Sequence, residues 1–237
     1  MSDQKIIRWG IVSTGRIAQQ FCQDMLFVTN GELAAVAARK LEDAEEFANE
    51  HGIAKAYQGY QALFDDPDID VVYIATPHSF HYQNAHDALM AGKSVLCEKP
   101  ITISSKESKE LSVLAKSQGL FLMEAMWTYF LPPIQQAKQW VNEGRIGKVK
   151  HIKADFGYPM PYNSESREYK AEFAGGCLMD MGIYPLAIAN RFVNTPMSDM
   201  LVKSHLAPNG VDDDVIILAD AGDIKLTLAT SFQCKLQ

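Results

Sequence analysis

A chain of 237 residues, 47% hydrophobic and 22% charged, has the make-up of an ordinary globular protein and is long enough for one large domain or two modest ones. Its formal net charge of -7 argues against nucleic acid as a partner, because gripping a phosphate backbone needs a concentrated basic surface. The N-terminus MSDQKIIRWG is broken by Arg8 before it reaches the apolar length of a signal peptide, and no later run is long enough to span a bilayer, so a cytoplasmic address and no membrane partner are expected.

From Lys5 to Met126 short apolar runs alternate with longer polar segments of helical period. The runs are Ile6 to Val12, Leu33 to Ala37, Val71 to Ala75, Val95 to Cys97 and Leu120 to Met123. Such alternation predicts an α/β fold with a parallel, doubly wound sheet. The first run leads into GIVSTGRIAQQF, which aligns with the dinucleotide-binding fingerprint as Ser13-x-Gly15-x-x-Ala18, with Ser13 in place of the first glycine. Ser13, Thr14, Gly15, Arg16 and Ile17 are the expected pyrophosphate contacts, since backbone N–H groups at a helix start attract negative charge. The plain alternative is a glycine turn between strand and helix.

After the second run an NAD enzyme would offer a carboxylate to the ribose hydroxyls, whereas this chain presents Arg39 and Lys40. A guanidinium suits a 2′-phosphate, which favours NADP, with NAD as the alternative cofactor. At the next strand end, ATPHSFH places Thr76, Pro77, His78 and His81 where loop polar groups approach a cofactor. The two histidines lack a carboxylate or cysteine at ligand spacing, so no metal is expected. The following strand ends in CEKP, bringing Glu98 and Lys99 to a strand-to-helix handover, and Ser104 with Glu107 forms a capping box for the next helix.

Beyond Trp127 the pattern changes. Leu131 to Glu143 reads as an amphipathic helix stopped by Gly144, and Lys148 to Tyr158 as a long strand with its lysines on a wet face. Alternating strands follow around Val215 to Leu218 and from Ile224 to Phe232. The expected organisation is a nucleotide-binding domain over residues 1–127 and an α+β domain with a mostly antiparallel sheet over residues 128–237. Within the second, Asp180 and Tyr184 are four apart and share one face if GGCLMDMGIYPL is helical. The four cysteines, Cys22, Cys97, Cys177 and Cys234, are far apart, match no metal-ligand spacing and read as reduced, buried thiols.

ATPHSFH, CEKP and GGCLMDMGIYPL, in this order and spacing, resemble the signatures of the glucose-fructose oxidoreductase, inositol dehydrogenase and rhizopine-catabolism family, Gfo/Idh/MocA. SerThrGly in the fingerprint, Arg39 and EAMWTYFLP resemble its dihydrodiol dehydrogenase and NADP-dependent D-xylose 1-dehydrogenase branch. The resemblance implies a Rossmann domain, an α/β second domain and hydride transfer between NADP and a carbinol carbon of a cyclic polyol, an aldose C1 or a trans-dihydrodiol. It makes Lys99 catalytic beside the nicotinamide, with Glu98 orienting it and Pro100 pinning the turn through a cis bond. Tyr184 stands where the family commonly has histidine. Removing the hydroxyl proton needs a positioned base, and a neighbouring ammonium favours a phenolate, so Tyr184 is assigned as base with Lys99 as electrostatic partner and Asp180 orienting substrate. The alternative has Lys99 as base. Trp127, Phe156 and Tyr158 are expected to wall the substrate pocket, plain core packing being the competing reading. The resemblance further implies that the chain is truncated at its C-terminus and that a complete form pairs as a homodimer through the second-domain sheet. A non-catalytic nucleotide-binding regulator of the same fold is the competing function.

Overall fold

In the computed structural model, residues 5–236 are described. The chain divides into two compact units, one running to Ala125 and one starting at Met126.

The first unit is a six-stranded parallel sheet in the order β3-β2-β1-β4-β5-β6. Its strands are β1 (Ile7–Val12), β2 (Gly31–Ala38), β3 (Lys55–Gln58), β4 (Val71–Ile74), β5 (Ser94–Cys97) and β6 (Leu122–Glu124). The helices between them are α1 (Arg16–Met25), α2 (Leu41–His51), α3 (Tyr60–Phe64), α4 (His81–Met90) and α5 (Ser105–Gln118). Side chains alternate between faces, so Ile11, Val36 and Tyr73 pack with Ala18, Cys22 and Phe47 of α1 and α2. Val12, Ala37, Val72, Ile74 and Val95 pack on the other face, with Leu89 of α4 and Leu111 of α5. Burial on both faces explains why these strands read as continuous apolar runs. Ser104 caps α5 by accepting the Glu107 N–H at 3.3 Å, and Gly119 closes that helix in the left-handed conformation at φ +66°.

The second unit opens with a 3₁₀ turn over Trp127–Phe130 and α6 (Pro132–Asn142). Its sheet joins β7 (His151–Gly157), β10 (Ile224–Ser231), β9 (Asp212–Ala221) and β8 (Ser198–Leu206) in that order. β7 and β10 are parallel and the remaining pairs antiparallel. One face covers Cys177, Met181 and Ala189 of the helical segment that ends in α7 (Ile183–Phe192).

Several expectations shift. β7 begins at His151 rather than Lys148; Lys148 and Lys150 lie before it, exposed. β3 and β8 are strands that no apolar run announced, and both lie at sheet edges. Cys22, Cys97 and Cys177 are buried thiols, but Cys234 is exposed, because it follows β10 in the turn where the chain leaves the sheet. Burial pushes the Cys22 thiol up to about 12. Among the described residues no helix is long and apolar enough to cross a membrane.

Candidate active site

The first site element is the turn from β1 into α1. Ser13 adopts φ +90°, a conformation that costs a residue with a Cβ, and its N–H donates to the Ala37 carbonyl at 3.0 Å. Gly15 is the N-cap of α1 in extended geometry, with no side chain capping the helix and no acidic residue in its first turn. A Cβ built at Gly15 would meet only Ser13 Oγ, at 3.9 Å, so the space before the first-turn N–H groups is open. Ala18, fully buried, lets α1 lie close on the sheet. An uncapped helix start behind an open glycine fits a pyrophosphate, and the neighbouring Thr14 and exposed Arg16 and Ile17 surround it. Val12 pairs with Ala37, so Arg39 and Lys40, both exposed just past the end of β2, emerge on the same sheet edge as this turn.

β4 and β5 are adjacent parallel strands, and their carboxyl ends bring two turns together. Thr76 is buried and its Oγ1 accepts from Asn84 Nδ2 at 3.1 Å, while Pro77 introduces the 3₁₀ turn His78–Phe80. His81 is fully buried, with ring nitrogens 2.7 Å from the Pro100 carbonyl and 2.6 Å from that of Thr76. Its nitrogens thus engage main chain, which makes it part of the frame of the site, whereas His78, also buried, stands edge-on to it. The Lys99–Pro100 peptide is cis. The Ile101 N–H just beyond it donates to Glu124 Oε1 at 2.8 Å.

Glu98 accepts the Tyr73 hydroxyl at 2.6 Å and the main-chain N–H of Lys99 at 3.3 Å. The carboxylate thereby fixes the backbone of the lysine. Burial raises the Glu98 carboxyl above its ordinary value, against the hydrogen bonds from Tyr73 and Lys99 and the Lys99 charge, which favour the ionised form. Burial and the Glu98 charge raise the Tyr73 hydroxyl, which stays a donor. Tyr73 was invisible as a site residue because it sits in a strand as a large apolar-looking side chain; only the strand pairing of Ile74 with Cys97 sets it beside Glu98.

The second unit gathers the remaining candidates. Within GGCLMDMGIYPL the two glycines lie outside the helix, and the part that carries Asp180 and Tyr184 is helical, first as a π-helix over Leu178–Gly182 and then as α7. Such wide turns collect at functional sites. Gly175 and Gly176 are dictated by close approach: a Cβ on Gly175 would lie 2.6 Å from the Glu168 carbonyl, and one on Gly176, at φ +122°, would run into the Asp212 carboxylate. That carboxylate accepts the Leu178 N–H at 2.7 Å and so anchors the start of the segment. Asp180 is buried and pairs with Arg167, Nη2 to Oδ1 at 3.3 Å. Tyr184, one turn on, accepts the indole N–H of Trp127 at 3.2 Å. The Phe156 ring stands edge-on to Tyr184 at 5.2 Å and to Tyr158 at 6.0 Å. Trp127, Phe156 and Tyr158 are all exposed; Trp127 and Phe156 lie against Tyr184, and Tyr158 against Phe156. Sequence reasoning missed Arg167 and Asp212, each contributed by a segment more than ten residues away with no motif of its own.

Two family descriptions match the chain: an oxidoreductase family with an NAD-binding Rossmann fold over residues 7–126, and the GFO/IDH/MocA C-terminal domain over residues 134–237. The chain belongs to the Gfo/Idh/MocA oxidoreductase family. Within that family, trans-1,2-dihydrobenzene-1,2-diol dehydrogenase of Mus musculus is 38% identical over 215 residues, 90% of this chain and 64% of the mouse protein. Its Bos taurus counterpart is 37% identical over 234 residues, 97% of this chain and 69% of the bovine one. The chain thus spans about two thirds of the length of these relatives. A 3-ketoreductase from Actinomadura kijaniata, solved with NADP and TDP-benzene, superposes with a TM-score of 0.89 at 28% identity, covering 98% of this chain and 72% of that one. An aldose-aldose oxidoreductase from Caulobacter crescentus shares the fold with a TM-score of 0.90 at 22% identity, over 98% of this chain and 72% of that one. As a Gfo/Idh/MocA protein, the chain carries the family's NAD(P)-binding Rossmann domain in its first unit.

Proposed function

We propose that this protein is an NADP-dependent dehydrogenase that moves a hydride between nicotinamide and a hydroxyl-bearing ring carbon of a cyclic diol or sugar. The observation that carries the reading is the Tyr184 hydroxyl, held by the Trp127 indole N–H among exposed aromatic rings and one helical turn from the buried Asp180. Flat apolar rings beside a hydroxyl and a carboxylate are what a cyclic substrate with vicinal hydroxyls requires. The relatives named trans-1,2-dihydrobenzene-1,2-diol dehydrogenase and the 3-ketoreductase solved with NADP support the reading.

NADP, when bound, accepts or returns the hydride. The open turn at Gly15 and the N-terminus of α1 take the pyrophosphate, and Arg39 with Lys40 meets the 2′-phosphate. Thr76, Pro77 and His78, in the turn after β4, and Glu98, just past β5, are assigned to the cofactor side. Tyr184 takes the proton of the substrate hydroxyl, and the indole N–H donated to its oxygen steadies negative charge there. Lys99, its backbone held by Glu98, is assigned to bind the reacting oxygen through its ammonium. Asp180, oriented by Arg167, accepts from a second substrate hydroxyl. Trp127, Phe156 and Tyr158 stack on the ring and exclude water.

The test is a screen of trans-dihydrodiols, pentoses and hexoses with NADP and with NAD, followed by absorbance of the reduced nicotinamide. Turnover of at least one cyclic substrate with NADP preferred is expected. Tight NADP binding without turnover on any of them would replace this reading with a binding function.

A further inference from the structure

His81 is buried at the start of α4, and each ring nitrogen faces a main-chain carbonyl, Nδ1 to Pro100 at 2.7 Å and Nε2 to Thr76 at 2.6 Å. A carbonyl oxygen only accepts, and a neutral imidazole has one N–H and one lone pair. Either neutral tautomer therefore sets a ring lone pair against a carbonyl lone pair at hydrogen-bond distance inside the protein. A ring carrying both protons satisfies both carbonyls, and the two separations have the shortness of charge-assisted bonds. Burial opposes a charge here, but the neutral ring forfeits one bond and leaves one carbonyl facing repulsion.

Groups around the ring are held in bonds of their own. The His78 ring stands edge-on at 5.7 Å between centroids. Of the carboxylates at these strand ends, Glu98 is turned to Tyr73 and the Lys99 N–H, and Glu124 to the Ile101 N–H. The Thr76 hydroxyl is occupied by Asn84.

We propose that His81 is a doubly protonated, buried imidazolium that clamps the Thr76-Pro77 turn to the cis Lys99–Pro100 turn and thereby acts as a positioning residue for Lys99. The two turns end adjacent parallel strands joined by the Glu98 N–H to the Ile74 carbonyl, and Pro100 beyond has no N–H to donate, so the ring adds a bridge between them. Its role in turnover rests on the reading of Lys99 as the catalytic lysine; its protonation state does not.

The two halves separate experimentally. With histidine ring nitrogens labelled in the whole protein, a two-bond proton–nitrogen spectrum at neutral pH is expected to show His81, assigned by the signals lost in His81→Gln, with protons on both nitrogens. An unprotonated nitrogen at His81 overturns the imidazolium, whatever the activity. For the positioning role, His81→Gln keeps a donor for one carbonyl only and is expected to lower kcat about 10²-fold while KM stays within about threefold, the scale of a misplaced catalytic group. In a Lys99→Met background the same change is expected to cost almost nothing more. A full additional loss there, or unchanged kcat in His81→Gln alone, overturns the positioning role. Should His81→Gln fail to fold, assignment of the wild-type ring by elimination against variants of the other histidines still decides the protonation state. Near-normal turnover of Lys99→Met by itself would sink the reading of the lysine and leave the imidazolium standing.

Discussion

The two edges of the parallel sheet use polar residues in opposite ways. At the amino ends of the strands charges are paired with one another, Arg8 with Asp68 and Asp70 and Lys55 with Asp66 and Asp68, and the Tyr57 hydroxyl donates to Asp66. Lys93, itself buried, spends its ammonium on the carbonyls of Asp66 and Ile69, at 2.6 and 2.9 Å. Burial lowers its affinity for a proton, which the neighbouring Asp66 and Asp70 oppose. At the carboxyl ends, buried polar groups hold backbone: His81 bridges two carbonyls, and Glu98 with Tyr73 secures the main chain of Lys99. Around them the main chain is left open at Gly15 and cationic side chains are exposed at Arg16, Arg39 and Lys40. One edge is closed for stability and the other is framed for a ligand, as ligand crevices in such sheets demand.

Lys99→Met should show the contrast most strongly, cutting kcat by roughly two to four orders of magnitude at the carboxyl edge. Its thermal midpoint should stay close to wild type. At the amino edge, Asp66→Ala should do the reverse, costing about 2 to 3 kcal/mol in denaturant unfolding, the scale of charge-assisted bonds lost by a buried carboxylate, with steady-state kinetics unchanged. A stability loss for Lys99→Met equal to that of Asp66→Ala would erase the distinction between the edges. Arg39→Asp should weaken NADP by about 1.5 to 3 kcal/mol and NAD much less, measured by fluorescence titration of both nucleotides. Equal weakening would remove the 2′-phosphate from this residue.

The amino edge also predicts an acid response. The Asp66 carboxyl is raised by burial but more strongly lowered by Lys55, the Asp68 N–H and Tyr57, to about 2. Asp70 is lowered by the Arg8 side chain and, against its burial, by the Arg8 N–H, also to about 2. Folded values below an unfolded value of about 3.9 mean that the stabilisation is complete above that value and is lost as pH falls from about 4 towards 2. Unfolding free energy measured across that window should fall more steeply in wild type than in Asp66→Ala; parallel curves would contradict the assignment. The smallest effect is expected at Ser13, whose φ of +90° suits glycine. Ser13→Gly should gain about 0.5 to 1 kcal/mol, relief of backbone strain partly offset by the freedom of glycine in the unfolded chain.

The central strands were legible because burial on both faces writes an apolar run. β3 was not, being four residues at an edge, and β8 was not, because every position along it is exposed and no alternation survives. In the candidate site, the local conformation of the motif residues was legible: the fingerprint turn, CEKP with its cis bond, and Asp180 followed by Tyr184 on one helical segment. The side chains that hold them were not. Tyr73 reaches Glu98 from 25 residues away, Arg167 reaches Asp180 from 13, and Asp212 reaches Leu178 from 34. Such partners are chosen by strand pairing and loop closure, which leave no mark at either position separately.

Turnover and nucleotide affinity of Tyr184→Phe, measured on one preparation, test the central claim most directly, because the change removes a single hydroxyl and leaves the ring among Trp127 and Phe156. Loss of kcat by roughly two to four orders of magnitude with NADP affinity intact is the predicted result. A variant that keeps near-normal kcat would contradict Tyr184 as the base.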